Sequence, residues 1–204
     1  MKIIKVVFVL AFLTSCNFNK TSEEKAMLDV ESLNAKEQEF SNVQNNQGEL
    51  IGTIEFGIHA NKDEVQDFED GIIPWISIEK TKDEINRLID ADKVVITYSE
   101  IILIIDYPLN KPVEFIIKSS GKGFTKKQLV LEISKKYHEI YKVEESSAKT
   151  KTIPIEKREG IINRNETDGT YGIWGHDIGD LVLSSAEVYK MEDVKIQVLL
   201  GIES

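Results

Sequence analysis

The run Ile101-Ile102-Leu103-Ile104-Ile105 limits most sharply what this chain can fold into. β-branched side chains are stiff at χ1 and suit a pleated backbone better than a helix. A run that is apolar at every position reads as a strand buried within a sheet. Val94-Val95-Ile96-Thr97-Tyr98 is a second run of this kind. Together the two runs predict a hairpin turning at Ser99-Glu100, a pair without the glycine usual in such turns.

Further strands are predicted over residues 50–58, where Ile54, Phe56 and Ile58 alternate with Thr53, Glu55 and Gly57, and over 113–118, 181–183, 187–189 and 194–200. Two helices are expected. Thr81-Lys82-Asp83-Glu84 has the spacing of a capping box, followed by Ile85, Leu88 and Ile89 on one face. Thr125 and Gln128 form a second box, Phe124 and Leu129 stand as a hydrophobic staple, and Leu129, Ile133, Tyr137, Ile140 and Tyr141 follow at helical spacing. Polar, Lys-rich residues 144–151 read as a connector to Pro154. Strands and helices are mixed without strict βαβ alternation, so the expected fold is α+β, a single domain with a mainly antiparallel sheet and two or more helices.

The N-terminus carries a different signal. Lys2 and Lys5 precede an apolar run over residues 6–13, too short to span a bilayer, which takes about 20 residues. Leu13-Thr14-Ser15-Cys16 follows. This resembles the lipobox of bacterial lipoproteins, in which the cysteine thiol receives a diacylglycerol and cleavage leaves that cysteine first. The resemblance implies lipidation at Cys16 and a protein anchored to a membrane of the cell envelope, facing outside the cytoplasm. A soluble secreted protein cut near Ser15 is the alternative. The expected organisation is residues 1–15 as lipoprotein signal peptide, 16–47 as lipidated cysteine and flexible tether, and 48–204 as the α+β domain. Within the tether, residues 23–40 have the makings of a marginal helix, with sparse apolar positions.

Cys16 is the only cysteine. A lipid on it leaves no thiol for a nucleophile, a disulfide or a thiolate metal site. The net charge is −10, and losing residues 1–15 with Lys2 and Lys5 takes it to −12. Such a surface repels phosphate backbones, so no nucleic-acid partner is expected. The membrane, through the anchor, is the expected partner, with a protein or small molecule as a further one. No phosphate loop, dinucleotide fingerprint or metal-ligand cluster is present in the sequence, and no cofactor is expected.

Residues 163–180 concentrate the chemistry-bearing side chains: four glycines with Arg164, Asp168, Tyr171, Trp174, His176, Asp177 and Asp180. The string Tyr-Gly-Ile-Trp-Gly-His-Asp within it resembles segments of a group of uncharacterised proteins, a likeness that brings no activity with it. His176-Asp177 resembles the metal-binding step of HD-type phosphohydrolases, but that family requires a helical context and further histidines, and this chain has only His59 and His138 besides. Asn163, Asn165 and Asp168-Gly169 lack the glycine position and closing Glu of an EF-hand, and Asp168-Gly169 suits a turn. Asn165-Glu166-Thr167 fits the glycosylation sequon by chance.

His176 with Asp177 or Asp180 suits a general base with its orienting carboxylate. Ser184-Ser185 lacks a nucleophile elbow. Two other outcomes compete with catalysis. In one the loop serves the fold, with His176 and the Asp side chains bonding backbone amides and Trp174 filling the core. Alternatively Arg164, Tyr171 and Trp174 form an exposed contact site. The expected function is a lipid-anchored envelope protein acting as a binding or interaction module, with a hydrolase using His176 and Asp177 as the alternative. An enzyme would set His176 in a pocket beside a second catalytic group, whereas a binding module would expose Trp174 or Tyr171 on an apolar patch.

Overall fold

A computed structural model describes residues 30, 33–35, 48–159 and 163–204. Cys16, the proposed signal peptide and most of the tether lie outside the described residues. Of the helix expected over 23–40, residues 30 and 33–35 are described, and they are helical.

The strands are β1 (Glu49–Glu55), β2 (Ile58–His59), β3 (Ile72–Ile73), β4 (Ile76–Ser77), β5 (Val94–Ile96), β6 (Glu100–Ile105), β7 (Val113–Lys118), β8 (Phe124–Thr125), β9 (Val182–Lys190) and β10 (Ile196–Glu203). The helices are α1 (Thr81–Glu84), continued by a 3-10 turn at Ile85–Arg87, and the long α2 (Lys126–Ser147). The main sheet runs β1-β9-β10-β6-β7, with β4 also on β9. Its pairs are antiparallel except β10 with β6. The fold is thus a single α+β domain with a mixed, mostly antiparallel sheet.

Ile101, Leu103 and Ile105 of β6 are buried in the same core as Leu129, Ile133, Tyr137 and Ile140 of α2. Register fixes which residues share the opposite face. Ile116 lies opposite Ile102, Gln197 lies opposite both Ile102 and Tyr189, and Tyr189 lies opposite Leu50. These five form one row across the outer face of the sheet.

The capping box of α2 forms as its spacing predicts: the Thr125 hydroxyl accepts from Gln128 N and the Gln128 carboxamide accepts from Thr125 N. The box expected at Thr81 does not form. Thr81 already lies inside α1, its hydroxyl donates to the carbonyls of Ser77 and Ile78, and Glu84 instead accepts from Ser77 N at 2.8 Å. The expected hairpin of β5 with β6 is also absent. β5 pairs with β8, while β6 pairs with β7, since Ser99-Glu100 offers no residue for a tight primed turn. The strand expected over 50–58 ends at Glu55, where Phe56 turns to donate to Ser184 O and Ile58 joins β3. The two short strands expected at 181–183 and 187–189 are the single strand β9.

Candidate functional site

α2 runs four residues into the stretch expected as a connector from 144, and those residues organise the chemistry-rich loop. Glu144 has no exposed surface. It sits four residues after Ile140 and seven after Tyr137, on the apolar stripe of α2. Oε1 accepts from the Thr167 hydroxyl at 2.7 Å and Gly169 N at 2.8 Å. Oε2 accepts from Tyr171 N at 2.8 Å and Gly172 N at 3.1 Å. Burial alone would raise this carboxyl's pKa, but the Thr167 hydroxyl and the three amides together hold it below the usual value. A side chain at Gly169 would collide with this carboxylate, its Cβ lying 2.6 Å from Oε2. The glycine is there for close approach.

Further bonds fasten the same stretch. Asp168 accepts from Thr150 N at 2.7 Å and Lys149 N at 2.9 Å, and the first of these is the chief cause of its lowered pKa. Ser147 Oγ accepts from Thr170 N. On the other flank, Asn110 N and Lys111 N donate to the carbonyls of Gly172 and Tyr171, and Trp174 N donates to Pro108 O. Arg164 N donates to Gly175 O, and Thr167 N to Ile173 O, so the loop folds back on itself as a short ribbon.

Gly175 turns the ribbon sharply. Its φ is +71°, and His176 N donates to Trp174 O across it, a γ-turn whose sign suits glycine. The turn sends Trp174 into the core, 1% exposed. Its ring lies edge-on to Tyr107, with centroids 5.3 Å apart, and His176 stacks at a tilt on Tyr107 at 5.5 Å. Trp174 is therefore not an exposed contact, contrary to what a binding site built on it requires. Tyr171 is half-buried over the core.

Asp177 is the counter-ion of two arginines. Its Oδ2 lies 2.7 Å from Arg158 Nη1 and its Oδ1 lies 3.4 Å from Arg164 Nη1, with the arginine side chains only 4% and 6% exposed. The Arg164 guanidinium also lies 5.5 Å over the Tyr141 ring, and the Tyr141 hydroxyl donates to His176 O at 2.9 Å. Burial raises the Tyr141 phenol, which stays a neutral donor. Asp180 accepts from Asp177 N at 2.8 Å and so closes the 3-10 turn Ile178–Asp180.

The structure thus gathers Arg164, Trp174, His176 and Asp177 near Tyr141 of α2, places Asp168 and Tyr171 against the C-terminal end of that helix, and gives Asp180 a capping task. Arg158 and Glu144 are the members absent from the residues expected on sequence grounds. Glu144 was findable from its place on the helical stripe; Arg158 has no such signal.

A groove of about 640 Å³ runs along another side of α2, lined by Glu79, Lys82, Ser134, His138, Glu139 and Lys142 among others. Ser134 Oγ donates there to Ile78 O, so its hydroxyl is a structural bond. Among the described residues no group of three or more His, Cys, Asp or Glu converges as a metal site, and no helix is long and apolar enough to cross a membrane. No protein-family model, curated protein or solved structure matches the chain.

Proposed function

We propose that this chain is a lipid-anchored protein of a bacterial envelope whose domain acts as an interaction module. The anchor rests on the lipobox-like Leu13-Thr14-Ser15-Cys16. The preference for interaction over hydrolysis rests on one observation above all: both Asp177 oxygens face buried guanidinium groups. A carboxylate committed to two arginines is a poor orienter for a neighbouring imidazole, because turning toward it would strip countercharge from cations that have almost no solvent. What the domain offers outward is the open face of its sheet. Leu50 and Ile116 there are 51% and 66% exposed, in one row with Tyr189, Gln197 and Ile102. Glu187 and Glu114 stand in the adjacent row of the same face. A largely apolar row with Glu114 and Glu187 along one side and the Lys118–Glu100 pair along the other fits a protein surface with an apolar centre and a rim of mixed charge.

Two measurements on the full chain test this. Radiolabelled palmitate fed to a bacterial host should enter the wild-type protein in the membrane fraction and fail to enter Cys16→Ser. Hydrolysis of nitrophenyl esters and phosphates should show no dependence on His176. Turnover that disappears in His176→Gln would overturn the interaction reading in favour of a hydrolase, and an unlabelled wild type would remove the anchor.

A further inference from the structure

β7 is an edge strand: among the described residues its only strand partner is β6. Unpaired edges are templates for another strand, and proteins commonly blunt them with a mid-strand charge, a bulge or a proline. β7 has no bulge or proline within it, and its two charges, Glu114 and Lys118, stand either side of an apolar middle. Its register with β6 is unbroken from Val113 to Lys118, and its outward-facing middle is Ile116, 66% exposed. The charges on that face are Glu114 and Lys118, two positions either side of Ile116 and opposite in sign. Lys118 lies 3.0 Å from Glu100 on β6, both well exposed, while Glu114 makes no salt bridge among the described residues.

The sequence Glu114-Phe115-Ile116-Ile117-Lys118 is therefore self-complementary when run antiparallel against itself. We propose that β7 pairs antiparallel with the β7 of a second copy, across a two-fold axis at Ile116. In that register Ile116 meets Ile116 of the partner subunit, and Lys118 meets the partner's Glu114, twice by symmetry. Lys118 then lies between Glu100 of its own chain and the partner's Glu114. A parallel pairing would set like charges opposite each other, and a one-residue slip would put Ile116 against the inward-facing positions. The row Leu50-Tyr189-Gln197-Ile102-Ile116 would continue across the axis into its counterpart. This goes beyond the proposed function and depends on neither the anchor nor any other partner. One strand pair is a small contact, below the roughly 1,200 Å² of standard stable interfaces, so the association should be weak in dilute solution and favoured by crowding on a membrane.

The test places single cysteines in the full chain in whole host cells, whichever fraction the protein enters, and wild type, whose only cysteine is Cys16, serves as blank. Directly opposed strand residues have Cβ atoms about 4.5–5.5 Å apart, near disulfide range. Ile116→Cys should cross-link to a dimer under mild oxidation. Glu114→Cys and Lys118→Cys should each fail alone and cross-link when co-expressed. Sedimentation of the purified protein adds a second readout. Lys118→Glu or Glu114→Lys alone should weaken the dimer at least about tenfold, and the double exchange in one chain should restore it. Equal cross-linking at all three positions, none at Ile116→Cys, or cross-linking only to a different protein would each overturn the proposal. All three positions are exposed, so loss of folding does not enter.

Discussion

Replacing Glu144 with Gln keeps the shape of the side chain and removes its charge. In the wild type the two oxygens receive four donors, three of them backbone amides. The carboxamide must turn its NH2 toward one pair. Facing Tyr171 N and Gly172 N, it leaves two amides opposed. Facing Thr167 and Gly169 N, it leaves at least the glycine amide opposed, because the Thr167 hydroxyl has a second acceptor in Ile173 O at 3.2 Å. The second orientation is the cheaper. It costs one buried amide without an acceptor, about 1–3 kcal/mol, and weakens the remaining bonds from charge-assisted to neutral, by about 0.5–1 kcal/mol each. A loss of roughly 2–5 kcal/mol follows, or about 4–20 °C in Tm for a domain of this size. Urea unfolding followed by tryptophan fluorescence suits the measurement, since Trp174 is buried beside the affected ribbon. The pH dependence supplies a second check. Glu144 has a lowered pKa when folded, so its contribution is fully present above the unfolded value of about 4.5 and is lost as pH falls through the folded one. Wild-type stability should therefore drop on acidification more steeply than that of Glu144→Gln. A loss under about 0.5 kcal/mol, with parallel pH curves, would refute the assignment of Glu144 as the anchor of the loop.

Three further outcomes follow from the same geometry. Asp177→Asn should destabilise by about 2–3 kcal/mol in urea unfolding, less than a fully buried pair would, since the Asp177 side chain keeps 31% exposure. Gly175→Ala should cost about 1–3 kcal/mol by the same assay, because φ is +71° and the new Cβ would stand 2.8 Å from Leu33 Cδ2. Thr125→Ala should cost about 1 kcal/mol, measured by thermal unfolding, through loss of the α2 cap.

Signals confined to a few neighbouring residues were legible in the sequence. β7 occupies the predicted 113–118, and α2 begins at its predicted cap, because alternation, capping and stapling are local relations. Pairings set by distant partners were not. β5 chooses β8 across some thirty residues, and Thr81 gives way to Ser77 once the preceding turn places that amide near Glu84. Glu144 illustrates the difficulty best. Its acceptors serve donors 23 to 28 positions away, so a polar residue beside lysines resembled a connector until the loop was folded against it. The loop's density of glycines and carboxylates was plain from the sequence. The use of Asp177 as an arginine counter-ion depended on Arg158, which no local spacing tied to it.

Amide hydrogen exchange on the full wild-type chain tests most directly whether the chemistry-rich ribbon is held as structure. Gly169, Tyr171 and Gly172 should exchange slowly, on the scale of amides in the middle of β9, while Thr170, whose amide bonds the exposed side of Ser147, should exchange faster. Rapid exchange at all four positions would show that the ribbon opens freely from α2, and the structural role assigned to Glu144 would fall with it.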